Sequence, residues 1–417
     1  MADTPNATTT TTASSDAYGE AAVAAAAAGR GEPAWLVRSR EEAARAFAVT
    51  PMPTPALRPW KYTDLGGLAI ESFAPDAGFA PRVAGTAPAG GFAGTIADAL
   101  RDASRAPAVE AALGSVVPGT ESKFVAANGA QWTGGAFVHA PRGGVFATPV
   151  TVDVQGTAGA IFPRLLLVAE ANSEVTVIVK NRSGVAPLLV AGVVEVVAGD
   201  GARVRLLLDG DWGAATSEFS TVRSRVGRNA DVQVASLAIG GHLQKQHIEA
   251  LVEGEGANSL IRGIALGDGD QHFDFVTLQD HIGPKSTSDV EIKSALAGAS
   301  RSVYYGVTRV ETTAGGSAAN QENRNLLLSD HAKADSDPVL EILTADVIRC
   351  GHGATVGPVD GEALFYLQSR GLDYRGSLKL LVGGFFASVL NDAAFAALAE
   401  DMHERVERKL ATAELSE

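Results

Sequence analysis

The stretch NSLIRGIALGDGDQHFDFVTLQDHIGPKSTSDVEIKSALAGASRSVYYGVTRV, residues 258–310, carries the clearest signal of the fold class. It holds short runs of valine, isoleucine, leucine and aromatic residues at 260–266, 273–278, 290–296 and 303–310. Glycine, aspartate and serine clusters separate these runs, and no long amphipathic helix interrupts them. Short apolar runs bounded by turn residues predict β-strands.

The same pattern extends towards the amino terminus, with similar runs at 165–168, 175–179, 190–197, 204–208 and 232–237. The sequence therefore predicts a β region over residues 126–360. Small or polar clusters precede several strands, as at Gly201-Ala202-Arg203 and Gly256-Ala257-Asn258, but their spacing is irregular. A β-solenoid, whose coils bury their faces on one another, and a β-sandwich both fit this pattern, and periodicity does not separate them.

The flanking segments have a different composition. Residues 1–32 are of low complexity and predict a disordered tail. Residues 33–125 predict a helical region, with a helix beginning near Ser39, whose spacing to Glu42 fits a capping box. Residues 361–417 predict three further helices, beginning near Glu362, Ser377 and Asp392.

Charge and cysteine content exclude several classes of function. The net charge of −14 disfavours binding to DNA or RNA. The single cysteine, Cys350, can form neither an intrachain disulfide nor a four-thiolate metal site. The first residues lack the basic start and apolar core of a signal peptide, and no apolar run is long enough to span a bilayer. These features predict a soluble protein of a reducing compartment, the cytoplasm.

The sequence lacks the common catalytic motifs. No glycine-rich phosphate loop is present, since Gly283-Pro284-Lys285-Ser286 lacks the spacing, and this predicts no ATP site on this chain. A nucleophile-elbow serine and a His-Glu-x-x-His helix are also missing. We therefore expect a protein that is not an enzyme.

The tripeptide Cys350-Gly351-His352 is the one candidate metal site. If 347–352 is a strand, residues two apart point to the same side, so a thiolate and an imidazole project together. Such a pair suits a soft metal such as iron. For an isolated Cys-x-His, however, a buried cysteine beside a turn histidine is the commoner arrangement.

The surrounding sequence resembles the SufB/SufD family of iron–sulfur cluster assembly proteins. The matching segments are WKYTDL (60–65), NRNLLLSD (323–330), AKADSDPVLEI (332–342), DVIRCGHGATVG (346–357) and LFYLQSRG (364–371). The form HGATVG after the cysteine and the low cysteine count resemble SufD rather than SufB. The resemblance implies a right-handed parallel β-helix over residues 126–360, flanked by the two helical regions.

The resemblance also implies partners and site residues. The chain is expected to act as a non-catalytic scaffold that pairs with a SufB-like paralogue and binds one SufC-like ATPase. The ATPase is expected on the carboxy-terminal helical region, at Phe365, Tyr366, Leu367, Arg370 and Gly371. Flavin binding, and a homodimer when the paralogue is missing, stay open.

The metal residues follow from the same resemblance. His352 matches the family histidine placed at the SufB–SufD junction, and Cys350 is an adjacent candidate. The expected cofactor is a transient iron–sulfur cluster shared with the SufB-like partner.

Two alternatives are a purely structural solenoid, in which Cys350 and His352 only pack, and a carbohydrate-active β-helix enzyme. The candidate residues of that enzyme are Asp280, Asp289, Arg301 and Arg309.

Overall fold

The computed structural model describes residues 16–390, 399–413 and 415. Most of the chain between residues 136 and 358 is extended and forms short parallel strands. The strands are β1 (Arg82–Ala84), β2 (Phe92–Thr95), β3 (Ala136–Ala140), β4 (Val150–Gly156), β5 (Gly159–Ile161), β6 (Arg164–Ala169), β7 (Glu174–Ser183), β8 (Leu188–Ala198), β9 (Arg203–Asp211), β10 (Thr216–Val226), β11 (Asp231–Ala238), β12 (Leu243–Val252), β13 (Asn258–Gly267), β14 (His272–His281), β15 (Thr287–Leu296), β16 (Arg301–Val310), β17 (Ser317–Leu327), β18 (Lys333–Ile342) and β19 (Val347–Pro358).

From β6 onwards, successive strands alternate between two sheets. Sheet A has the order β18-β16-β14-β12-β10-β8-β6-β3-β2, with β5 beside β8, and sheet B has the order β1-β4-β7-β9-β11-β13-β15-β17-β19. The pairings are parallel except for β1 with β4 and β2 with β3. The structure thus confirms a mainly β fold built on a parallel solenoid of about eight turns, and it excludes a sandwich. The right-handed sense of the coil stays a prediction.

One corner of the solenoid repeats a left-handed backbone conformation in each coil. Positive φ angles occur at Asn172, Gly201, Asn229, Gly256, Lys285 and Gly316, spaced 27 to 31 residues apart. The N–H of each of these residues donates to a backbone carbonyl in the corner of the next coil. Glycine and asparagine tolerate this conformation best, which explains the glycine and asparagine clusters in the sequence.

The two sheets enclose a lumen whose lining changes along the axis. In the first coils the inward residues are valine and leucine, such as Val177 of β7 and Leu206 of β9. In β17 the buried positions alternate as Ser317, Ala319, Gln321, Asn323 and Asn325. The solenoid therefore has an apolar interior at its amino-terminal end and a polar interior at its carboxy-terminal end.

The amino-terminal region packs on the outer face of sheet A. Its helices are α1 (Glu20–Gly29), α2 (Ala34–Val49), α3 (Ile96–Arg101), α4 (Ala106–Ala112) and α5 (Lys123–Gln131), with single 3₁₀ turns at Asp16–Tyr18, Arg58–Trp60 and Ile70–Ser72. Phe47 of α2 and Phe124 of α5 share one apolar cluster with Leu189 and Phe219 of sheet A.

Two expectations for this region were wrong. Helix α1 lies within the segment expected to be disordered, and residues 1–15 of that segment lie outside the described residues. Val23 and Ala27 of α1 are buried, because alanine-rich helices can approach a neighbour closely. Helix α2 begins at Ala34, after Pro33 with φ −64°, and Ser39 is an exposed residue inside it.

The carboxy-terminal region packs on the outer face of sheet B. Its helices are α6 (Gly361–Ser369), α7 (Tyr374–Leu390) and α8 (Ala399–Thr412). Val382 and Phe386 of α7 contact the apolar cluster formed by sheet B. Helices α6 and α7 begin within three residues of the positions predicted for them, whereas the start near Asp392 lies outside the described residues. In the described part of the chain, no helix has the length and apolar character needed to cross a membrane.

Candidate functional site

The carboxy-terminal end of the solenoid is open. Within residues 16–390, 399–413 and 415, β18 pairs only with β16 and β19 pairs only with β17. Each of the two strands therefore leaves one row of backbone N–H and C=O groups without a neighbouring strand. The N–H of Lys333, at the start of β18, and the N–H of Leu343, directly after β18, both donate towards β16. Odd-numbered residues of β18 therefore bond to β16, and the N–H groups of its even-numbered residues face the open edge. Pro338 occupies one of these positions, where a missing N–H breaks no hydrogen bond of the ladder.

Cys350 and His352 lie on this last coil and face the lumen. The strand predicted over 347–352 is present as the start of β19. Cys350 pairs in register with Ala319 and His352 with Gln321, and both of these β17 residues are buried inward-facing positions. Partners in parallel register point to the same face of the sheet. No further coil covers them in the described part of the chain, and Cys350 is half-buried and His352 exposed there.

A buried polar row lies behind His352. The Gln321 amide donates to the Val339 carbonyl at 3.1 Å, and the Tyr304 hydroxyl donates to the Gln321 carbonyl oxygen at 3.1 Å. The Tyr304 oxygen is also 3.1 Å from the Thr277 hydroxyl. Burial raises the pKa of Tyr304 far above its usual value, so this hydroxyl stays protonated and can only donate or accept as a neutral group.

The thiol of Cys350 and the imidazole of His352 do not by themselves make a complete metal site. Burial raises the pKa of Cys350, so the thiol alone is mostly protonated at neutral pH. Metal binding needs the thiolate, and an approaching cation would lower that pKa again. Among the side chains that the structure describes, no group of three or more His, Cys, Asp and Glu residues could hold a metal ion. Within that described part of the chain, Cys350 and His352 therefore have no third metal ligand of these types beside them.

The opposite wall of the open end was not identified from the sequence. It consists of the β18 residues that pair with inward-facing, buried residues of β16. Ser336, for example, pairs with Tyr304, and Ile342 pairs with Val310. Ile342 is 41% exposed although it faces the lumen. The alternation along 333–342 could have indicated two faces, but only the register with β16 shows which face lines the lumen.

The carboxy-terminal residues expected to bind an ATPase lie on and after α6. Phe365 is 73% and Tyr366 is 56% exposed, and the Arg370 guanidinium lies 5.1 Å from the Tyr366 ring centre. Leu367 is half-buried, and Gly371 takes a φ of +95° directly after the helix. Two large aromatic side chains are thus held at the surface by a short helix.

The four residues of the carbohydrate-enzyme alternative do not form one cleft. Asp280, Arg301 and Arg309 lie on the outer face of sheet A, whereas Asp289 lies on sheet B and pairs with Arg262 at 2.8 Å. Arg301 pairs with Asp335, and Arg309 pairs with Glu341. Each arginine is therefore engaged in an ion pair across neighbouring strands.

Comparison with known proteins gives a consistent result. Residues 152–385 match the family model described as SUF system FeS cluster assembly, SufBD core domain. An iron–sulfur cluster assembly SufBD family protein of Mycobacterium tuberculosis is 30% identical over 275 residues, which cover 64% of this chain and 68% of the relative. SufD of Bacillus subtilis is 30% identical over 302 residues, 70% of this chain and 67% of SufD. SufB of the same organism is 29% identical over 277 residues, 65% of this chain and 59% of SufB.

Proposed function

The chain belongs to the SufB/SufD family of the SUF iron–sulfur cluster assembly system, and we propose that it is the SufD-type scaffold subunit of that system. In this proposal it has no catalytic cycle of its own. It pairs with a SufB-like paralogue, binds a SufC-like ATPase, and contributes His352 to a nascent cluster at the junction with the paralogue.

The observation that carries the proposal is the open end of the solenoid with His352 in its lumen register. Exposed apolar side chains surround this end: Ile342 at 41%, Leu343 at 54%, Ile348 at 77% and Val356 at 47% exposure. Two unpaired strand edges and a set of exposed apolar residues favour strand addition by another chain. A related solenoid with its own open end is a suitable partner.

The incomplete ligand set supports the same arrangement. An imidazole and a thiol from one chain leave positions of a tetrahedral iron–sulfur site to be filled by sulfide and by the partner. Docking of a partner against β18 and β19 would bury His352 and Cys350, and a bound iron atom would stabilise the thiolate of Cys350. The cluster is the cargo of this site and is passed on after assembly.

Assignment to the SufD type rests on the sequence. The chain has one cysteine, Cys350, and the HGATVG form follows it. SufB and SufD of B. subtilis match with nearly equal identity, so the identity values favour neither.

The surface formed by α6 and the start of α7 is the proposed site for the ATPase. Phe365, Tyr366, Leu372 and Leu380 are each at least 36% exposed there. Aromatic residues at the centre of an exposed patch are typical energetic anchors of protein interfaces. ATP-driven movement of the bound ATPase would act on α7, which packs on sheet B, and so change the open end of the same sheet.

The test is co-expression with the SufB-like and SufC-like proteins of the same organism and measurement of iron and sulfide in the purified complex. We expect His352→Ala to leave the complex intact and to lower iron and sulfide severalfold. His331→Ala is the matched control, because His331 is also exposed but precedes β18 and lies outside the lumen register. Unchanged loading in His352→Ala, or failure of the three proteins to purify together, would contradict the proposal.

A further inference from the structure

The segment of residues 57–63, which we call the strap, crosses from the amino-terminal region to sheet A. The Trp60 ring stacks on Phe124 at 5.7 Å and on Phe219 at 6.1 Å between ring centres. The Lys245 ammonium lies 4.5 Å from the Trp60 ring centre and donates to the Pro59 carbonyl. The indole is thus held between an aromatic surface and a buried cation.

A buried ion pair fixes the far end of the strap. Lys245 and Asp274 are 0% and 1% exposed and form a salt bridge on the outer face of sheet A. The Thr63 hydroxyl, in a residue that is 2% exposed, donates to Asp274 and lies 3.0 Å from the His272 ring nitrogen. A buried ion pair tolerates little displacement of its hydrogen-bond partners, so the strap has one defined position.

From this anchor the strap reaches the open edge of sheet A. The Arg58 guanidinium lies 3.8 Å from the carboxylate of Asp337, and the Tyr62 ring lies under Arg301, which pairs with Asp335. Asp335 and Asp337 are residues of β18, the edge strand. The strap therefore lies beside the backbone N–H and C=O groups of β18 that face away from β16.

The strap presents exposed basic and apolar side chains at this edge. Leu57 is 54% exposed, the Arg58 side chain is 64% exposed, and Lys61 is exposed with its ammonium 2.8 Å from the Tyr62 hydroxyl. Their backbone is fixed by Trp60 and Thr63, so binding through them would cost little conformational entropy.

We propose that the strap is a second contact surface for the chain that adds to β18, and that it binds acidic side chains on the outer face of the partner's edge strand. This inference rests on the proposed use of the β18 edge by the paralogue. An added strand would lie about 4.8 Å from β18. Arg58 already lies beside Asp337, and its guanidinium can contact a carboxylate on the added strand while keeping Asp337 as a neighbour.

The test compares two charge reversals in the complex with the SufB-like partner. Arg58→Glu changes the strap, and Arg228→Glu, also the reversal of a single arginine, is the matched control. Arg228 is 63% exposed and pairs with one carboxylate, Asp200, but it lies at a corner of the solenoid away from the edge. The measurement is the dissociation constant at low and at physiological ionic strength.

We expect the strap variant to bind about tenfold more weakly at low ionic strength and to show a smaller salt dependence. The control variant should bind like the parent chain. Equal affinity and equal salt dependence in the strap and control variants would overturn the inference.

A third variant separates this inference from the proposed function. Leu340→Pro removes an N–H that faces the open edge of β18. If Leu340→Pro weakens binding and the strap variant does not, the strap inference fails and the proposed partner stands. If neither variant weakens binding, the proposed use of the edge fails as well. Weakening in both variants supports both statements.

Discussion

The carboxylate of Glu195 connects the amino-terminal region to the solenoid, and its removal gives a quantitative prediction. Glu195 is 0% exposed and accepts hydrogen bonds from the backbone N–H groups of Gly114, Val116 and Val117 at 2.9, 3.1 and 3.1 Å. It also pairs with Arg164, whose side chain is 3% exposed. The substitution Glu195→Gln keeps the shape, removes the charge and turns one acceptor atom into a donor.

The magnitude follows from the donors that lose their acceptor. Three backbone N–H groups and the Arg164 guanidinium donate to Glu195, and the single oxygen of glutamine can accept from only some of them. The glutamine NH₂ group would face the remaining donors. The Arg164 charge would also stay buried without its counter-ion. Breaking a buried ion pair in this way costs about 3–5 kcal/mol of unfolding free energy. The control Glu174→Gln, at a carboxylate that is 39% exposed and 3.4 Å from Arg205, should cost at most about 0.5 kcal/mol.

The assay is urea unfolding followed by circular dichroism, combined with hydrogen exchange at the amides of Gly114, Val116 and Val117. We expect faster exchange at these amides in Glu195→Gln together with the loss of stability. If the loss is no larger than that of Glu174→Gln and exchange is unchanged, Glu195 does not hold the two regions together.

Three further predictions concern different parts of the fold. Burial lowers the pKa of His281 from 6.5 to about 4, so the contribution of this residue to stability should be full above pH 6.5 and fall by up to about 3 kcal/mol as the pH drops towards 4. The substitution His281→Leu should flatten this pH dependence, measured as urea midpoints across pH. An unchanged slope in the variant would contradict the prediction. Gly256→Ala should lower the unfolding free energy by about 1–2 kcal/mol, because φ is +68° and an added Cβ would lie 2.5 Å from the side-chain oxygen of a corner asparagine. In the control Gly184→Ala the added Cβ meets no atom within 4 Å, so thermal melts should show almost no change. Phe365→Ala should leave the melting temperature unchanged and weaken binding of the SufC-like ATPase at least about tenfold. The control Val185→Ala, at a residue 94% exposed, should change neither the melting temperature nor the binding. Equal binding of both variants would argue against the α6 surface as the ATPase site.

The strands could be predicted from the sequence, but their arrangement could not. Apolar runs and turn residues mark where strands begin and end, because those signals are local. Each strand's partner lies one coil away, and the corner spacing varies from 27 to 31 residues, so no fixed period reveals the pairing. Resemblance to a family, rather than periodicity, was needed to choose a solenoid over a sandwich.

The same limit applies to the site. Alternation along a strand predicts that Cys350 and His352 share a face, and the strand is present. Whether that face lines the lumen depends on the register with Ala319 and Gln321, which sequence periodicity does not give. The strap anchor was also missed, since Thr63 and Asp274 are 211 residues apart and no local pattern joins them.

The sharpest test of the open end is hydrogen–deuterium exchange of the isolated chain and of its complex with the SufB-like partner. If the partner completes the open ladder of β18 and β19, exchange at residues 333–358 should slow markedly in the complex. Changes across 150–200, at the other end of the solenoid, should be smaller. Two results would show that the partner does not bind at this edge. One is slow exchange at 333–358 already in the isolated chain, and the other is exchange at 333–358 that is the same in the complex as in the isolated chain.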